Sequence, residues 1–159
     1  MKINLKLKDD QYEYTYIDHT RHIARAVLIN DKNEVCLLKL VGDDDFGHRD
    51  YVETPGGGIN INEHVLDAVI REVKEETGLD VEVGKLIGVY TDCDVVCANG
   101  DQVQSICIGY EMTVVGGDLV CDKDETLELK YFPLDDMPEL FCKQHEELSR
   151  DIKVNKNEL

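Results

Sequence analysis

The stretch GGGININEHVLDAVIREVKEETGL, running from Gly56 to Leu79, constrains this chain more than any other feature. Three glycines let the backbone bend sharply and bring its own amides and carbonyls close to a ligand. A helical pattern follows from about Glu63 and stops at Gly78, a suitable C-cap. Near its end stand Glu72, Glu75 and Glu76, although helices favour bases, not acids, in the last turn.

On a wheel of about 100° per residue, Val65, Leu66, Val69, Ile70 and Val73 form one apolar arc, with Glu63, Asp67, Arg71 and Lys74 opposite. Glu76 falls inside the apolar arc, Glu72 at its edge and Glu75 on the same flank. A solvated acidic face would not take positions from the core stripe. Three carboxylates within about 6 Å repel by roughly 3 kcal/mol per pair at an effective dielectric near 20. Divalent cations reverse that sign, and hard oxygen donors suit Mg²⁺ or Mn²⁺ better than zinc. Arg71, one turn before Glu75, is placed to pair with it and orient a carboxylate.

The spacing closes the reading. Gly57, five residues, Glu63, seven residues, then Arg71-Glu72-Val73-Lys74-Glu75-Glu76-Thr77-Gly78-Leu79 resembles the Nudix box, with every defining position filled over residues 57–79. The preceding Glu53-Thr54-Pro55-Gly56 and the length of 159 residues are also similar to a whole Nudix domain. The resemblance implies an α/β (α+β) fold, a mixed β-sheet sandwiched between helices, occupying residues 1–159 as one domain. It further implies a Mg²⁺-dependent pyrophosphohydrolase, with Mn²⁺ as a substitute, acting on a nucleoside diphosphate linked to another group. Glu72, Glu75 and Glu76 would ligate the metal with the Gly56 carbonyl. Glu75 and Glu76 would thereby serve catalysis, and Arg71 and Glu63 would orient them.

Relatives of this kind often add an acid from a loop outside the box. DKDETLELKYF (122–132) offers Glu125 and Glu128, and Glu125, just ahead of the β-like pattern, is preferred. His48 and Arg49 in a polar loop, with Glu53 beside the box, are the candidate substrate-binding residues; Arg25 and Lys39 could counter phosphate, and Tyr90, Tyr110 or Phe46 could stack on a base. ADP-ribose-specific relatives often carry a proline about sixteen residues after the box, where this chain has Val95, which weighs against ADP-ribose relative to nucleotide sugars and nucleoside triphosphates.

Other readings fit less well. A non-catalytic nucleotide-binding regulatory module on the same fold would be expected to lose box carboxylates, and none is missing. An isomerase on this fold would need a Cys-x-His-Pro context, which no cysteine has. The glycine turn lacks the Lys-Ser/Thr ending of a P-loop, Cys93 and Cys97 lack zinc partners, and Asp122-Lys123-Asp124 lacks the glycine of a calcium loop.

Composition narrows the partners. A formal charge of −17 opposes nucleic acid and anionic membranes, so a phosphate-bearing substrate needs local cations or metal; the small nucleotide partner is what the Nudix resemblance implies, with a homodimer as a further expectation. The opening MKINLKLKDD lacks a signal-peptide core, so a cytoplasmic protein with reduced thiols is expected.

Strand patterns occur at 3–7, 12–16, 23–29, 35–41, 51–53, 81–83, 85–91, 102–115 and 127–132. Residues 30–33 read as a turn, and 42–50 and 92–101 as loops. A closing helix is expected over 141–152, and residues 154–159 as a frayed tail.

Overall fold

The computed structural model describes residues 19–44, 47–121, 126–140 and 142–157. The strand patterns at 3–7 and 12–16 lie outside them. The elements are β1 (His19–Leu28), β2 (Glu34–Asp44), β3 (Gly47–Glu53), β4 (Gly56–Gly58), α1 (Val65–Thr77), β5 (Leu79–Val96), β6 (Gln102–Gly117), β7 (Thr126–Pro133), a 3₁₀ turn (Leu134–Asp136) and α2 (Cys142–Asn157).

One sheet has the order β4-β1-β6-β5 and the other β3-β2-β7. Among the described strands β1 and β6 pair in parallel and the other neighbours antiparallel, so the four-stranded sheet is mixed, as expected, while the three-stranded sheet is antiparallel. Apolar side chains alternate between two cores because successive strand residues point to opposite faces. Ala24, Ala26 and Leu28 of β1 and Cys36 of β2 join Val69 and Val73 of α1. Val27, Val35 and Leu37 join Leu148 and Ile152 of α2. The strands are covered on both sides, which is why RAVLIN and VCLLKL read as near-continuous apolar runs.

Helix α1 begins at Val65 with no side-chain cap on His64. Glu63 instead turns back, its Oε2 accepting the Asn60 amide at 2.9 Å. The helix ends as expected at Gly78, which takes φ +74° and donates its amide to Lys74 O. Lys74 Nζ donates to Gly78 O at 3.0 Å and so supplies the positive end group that the glutamates cannot.

The buried stripe of α1 comprises Ala68, Val69, Val73 and Thr77, whereas Leu66 and Ile70 are 42% and 38% exposed. This corrects the wheel arc drawn from the sequence. Ala68 stands one turn before Glu72 and two before Glu76, so the buried stripe lies toward the flank that carries those glutamates, and Leu66 and Ile70 are left partly exposed.

Three further differences concern loops. The glycine run forms an edge strand, pairing Arg25 with Gly56, Ala24 with Gly57 and Ile23 with Gly58. Residues 42–50 are largely the arms of a hairpin in which Asp44 faces Gly47. β5 continues through 92–96, where its backbone stays paired to β6 with Asp92 buried and Val96 exposed; shifts of register, one between Asp92 and Val95, absorb the irregularity. The turn itself is confined to 97–101, where Cys97 N donates to Asp101 O at 2.9 Å. α2 runs to Asn157, past Ile152 and into the segment expected to fray.

Candidate active site

The site is built where the last turns of α1 pass the glycine strand β4. Arg71 is its organising cation. Its Nε donates to Glu63 Oε1 at 2.7 Å and its Nη2 to Glu63 Oε2 at 3.0 Å, a bidentate pair. Nη1 donates to Glu72 Oε1 at 2.7 Å and to Glu75 Oε2 at 3.0 Å, and Nη2 also reaches Gly58 O at 3.1 Å. The hydrogen bonds from Arg71, then the Asn60 amide, pull the Glu63 carboxyl down to about 2. The same Glu63 bonds are the largest cause raising the Arg71 guanidinium above its ordinary value. Glu63 and Arg71 therefore form a fixed clasp across the loop that joins β4 to α1.

Glu72 and Glu76 lie against consecutive glycines. A Cβ on Gly57 would stand 2.8 Å from the Glu72 carboxyl carbon, so this carboxylate fills the space that a side chain would take. Glu76 Oε2 accepts the Gly56 amide at 2.7 Å. Part of Glu76 remains accessible, yet its carboxyl is enclosed. Burial pushes it up to about 8; Arg25 works against that rise, while Glu53 and Glu72 add to it. Glu75 points outward, its side chain 59% exposed, and meets the cluster through Arg71.

The structure therefore brings Glu72 and Glu76 to the glycine turn and leaves Glu75 at the rim. Among the described residues, no three His, Cys, Asp or Glu side chains gather tightly enough to hold a metal ion. The donor set still fits a hard divalent cation. It consists of carboxylate and carbonyl oxygens, and its innermost carboxyl is pushed toward protonation by burial and by two neighbouring acids with one arginine to offset them.

Glu125 lies outside the described residues, as do Phe46 and the side chains of His48 and Arg49. The backbone places His48 and Arg49 in β3 opposite Asp43 and Gly42. Glu128 is exposed and pairs with Lys130 at 2.6 Å. Glu53 is buried, with Oε1 2.9 Å from Arg25 Nη1. Tyr90 is also internal, donating its hydroxyl to Asp151 Oδ2 at 2.9 Å. His145 of α2, buried near Glu53, was missed by sequence reasoning; a lone histidine in a polar helix carries no signal of such a place.

The NUDIX domain model matches residues 19–152. The chain belongs to the Nudix family. This Nudix hydrolase is 34% identical over 138 residues to an ADP-ribose pyrophosphatase of Methanocaldococcus jannaschii, covering 86% of this chain and 76% of that one. Its fold superposes on the MutT Nudix hydrolase from Burkholderia pseudomallei with a TM-score of 0.67 at 25% identity, over 84% of this chain and 98% of the other. An ADP-ribose pyrophosphatase from Streptococcus suis aligns with a TM-score of 0.62 at 25% identity, over 87% and 94% of the two chains. No helix among the described residues is long and apolar enough to cross a membrane.

Proposed function

We propose that this Nudix hydrolase is a Mg²⁺-dependent pyrophosphohydrolase that cleaves a nucleoside diphosphate linked to a second group by water attack on phosphorus, with ADP-ribose as the first candidate substrate. The observation that carries this is the placement of Glu72 and Glu76 on consecutive glycines of one turn, with Arg71 locked to Glu63 beside them. ADP-ribose gains weight from the names of the two pyrophosphatases it resembles, against the Val95 found where a proline often stands.

Glu72, Glu75, Glu76 and the Gly56 carbonyl would hold the metal. A bound divalent cation supplies neutralisation of phosphate charge and a more acidic water. The chain's own residues do the rest. Arg71 holds Glu72 and Glu75 at defined angles from the helix, and Glu63 prevents Arg71 from turning toward the substrate phosphates. Glu125 is the preferred general base from outside the box. His48 and Arg49 would meet the substrate from the β2–β3 hairpin.

The test is a screen of purified protein against ADP-ribose, nucleotide sugars and nucleoside triphosphates, with Mg²⁺ and with excess EDTA, measuring NMP, phosphate and pyrophosphate separately. AMP should form from ADP-ribose with Mg²⁺, fastest at alkaline pH. Undiminished turnover in EDTA would sink the metal assignment. Pyrophosphate from a triphosphate, with ADP-ribose untouched, would replace the substrate.

A further inference from the structure

Behind the glycine turn lies a buried polar group that the hydrolytic reading leaves unused. Arg25 sits mid-way along β1, on the face that also carries Val27 toward α2, and is 8% exposed. Its Nη1 donates to Gly56 O at 2.7 Å and to Thr54 O at 2.9 Å, and stands 2.9 Å from Glu53 Oε1. The other Glu53 oxygen lies 3.9 Å from Nε2 of His145 on α2. From the opposite side, the Gly56 amide donates to Glu76.

Backbone pairing holds the two ends of this turn: Ala26 N donates to Pro55 O at 2.8 Å, and Ile59 N to His22 O at 2.9 Å. Between those ends the Gly56 carbonyl is held by a side chain, that of Arg25. Glycine needs such a restraint more than other residues do. Gly56 has φ +134°, a conformation that L side chains rarely adopt, and a Cβ there would overlap the Ala24 carbonyl.

We propose that Arg25 is a positioning residue: anchored by Glu53, it fixes the orientation of the Gly56 carbonyl so that this oxygen and Glu76 act together as one site for a divalent cation. The inference rests on the metal-dependent reading above. A purely structural arginine would need its ion pair with Glu53 but no bond to the carbonyl beside the box.

The test is Mn²⁺ binding to purified protein, followed by the electron paramagnetic resonance of free Mn²⁺, with melting measured in EDTA. Arg25→Lys keeps the charge but replaces a planar fork with a point donor. It should raise the Mn²⁺ Kd by about tenfold or more while the protein stays folded. Ile152→Val, in the α2 core, should lower the melting temperature and leave the Kd within about twofold. A wild-type Kd in Arg25→Lys, or an equal loss of affinity in Ile152→Val, overturns the proposal. If Arg25→Lys does not fold, Glu53→Gln serves instead, because it keeps the side-chain shape and removes the charge that anchors Arg25. A Kd raised about threefold or more supports the proposal, and an unchanged Kd overturns it. A wild-type protein that binds no Mn²⁺ at all would instead refute the metal-dependent reading itself.

Discussion

The Glu76 carboxylate accepts the Gly56 amide at 2.7 Å, which ties the end of the box helix to the first glycine of the turn. The bond holds a carboxyl group in an enclosed place beside Glu53 and Glu72.

The first prediction concerns pH. Burial, together with Glu53 and Glu72, raises the Glu76 carboxyl from an ordinary 4.5 to about 8, so folding favours its protonated form. Its contribution to stability is full below the ordinary value and is lost as pH rises through about 8. In EDTA, the wild-type melting temperature should fall between about pH 5 and 8 more steeply than that of Glu76→Gln. Mg²⁺ should flatten the wild-type curve. Parallel curves for the two proteins in EDTA would show that Glu76 does not ionise in this range.

Glu63 runs the opposite way. Arg71 and the Asn60 amide hold its carboxyl down at about 2, so its contribution is present above the ordinary carboxylate value and is lost as pH falls toward 2. Glu63→Gln should erase part of the acid-side loss of stability. Arg71→Lys, which cannot reproduce the bidentate clasp, should lower turnover severalfold or more and leave the fold intact. Steady-state rates and circular dichroism on the same preparations check both points, and full activity in Arg71→Lys would remove Arg71 from the machinery.

Neighbouring glycines should answer differently to alanine. At Gly57 a Cβ would press on the flexible end of Glu72, whereas at Gly58 it would meet nothing within 4 Å. Neither residue has positive φ, so backbone strain does not enter. Gly57→Ala should displace the Glu72 carboxylate and cost about tenfold or more in kcat with little change in melting temperature. Gly58→Ala should be near wild type in both. Equal effects on kcat would mean that Glu72 needs no particular place.

Much of this site was legible because its signal is local. Glu76 follows Val69 and Val73 at helical spacing, and the structure turns it inward on that same flank. Gly78 ends the helix where a left-handed cap was expected. The wheel could not show which part of the apolar arc meets the sheet, because that depends on packing with distant strands; Ala68 is buried while Leu66 and Ile70 stay partly exposed. Nor could it show that Glu75 is held at the rim by Arg71 while its two neighbours turn to the glycines.

Arg25 shows the limit from the other side. A charge within the apolar run ARAVLI was visible, and strand alternation would have turned it inward with Val27. Its partners are Thr54 and Gly56 of another segment, and they meet it only because β4 pairs with β1. Glu53, named as a substrate-binding candidate from its place beside the box, was likewise drawn into the interior by Arg25, a long-range contact that no short window contains.

The turnover of Glu76→Gln, compared with that of Asp67→Asn under saturating Mg²⁺ and substrate, tests the metal-dependent reading most directly. Asp67 stands exposed in the first turn of the same helix. Glu76→Gln should cut kcat by about 10²-fold or more, while its melting temperature in EDTA above about pH 8, where Glu76 is ionised, equals or exceeds that of wild type, because an enclosed charge has been removed. Asp67→Asn should change neither quantity. A similar, modest loss of kcat in both variants would contradict the reading and make the glutamates of the box helix an ordinary acidic surface.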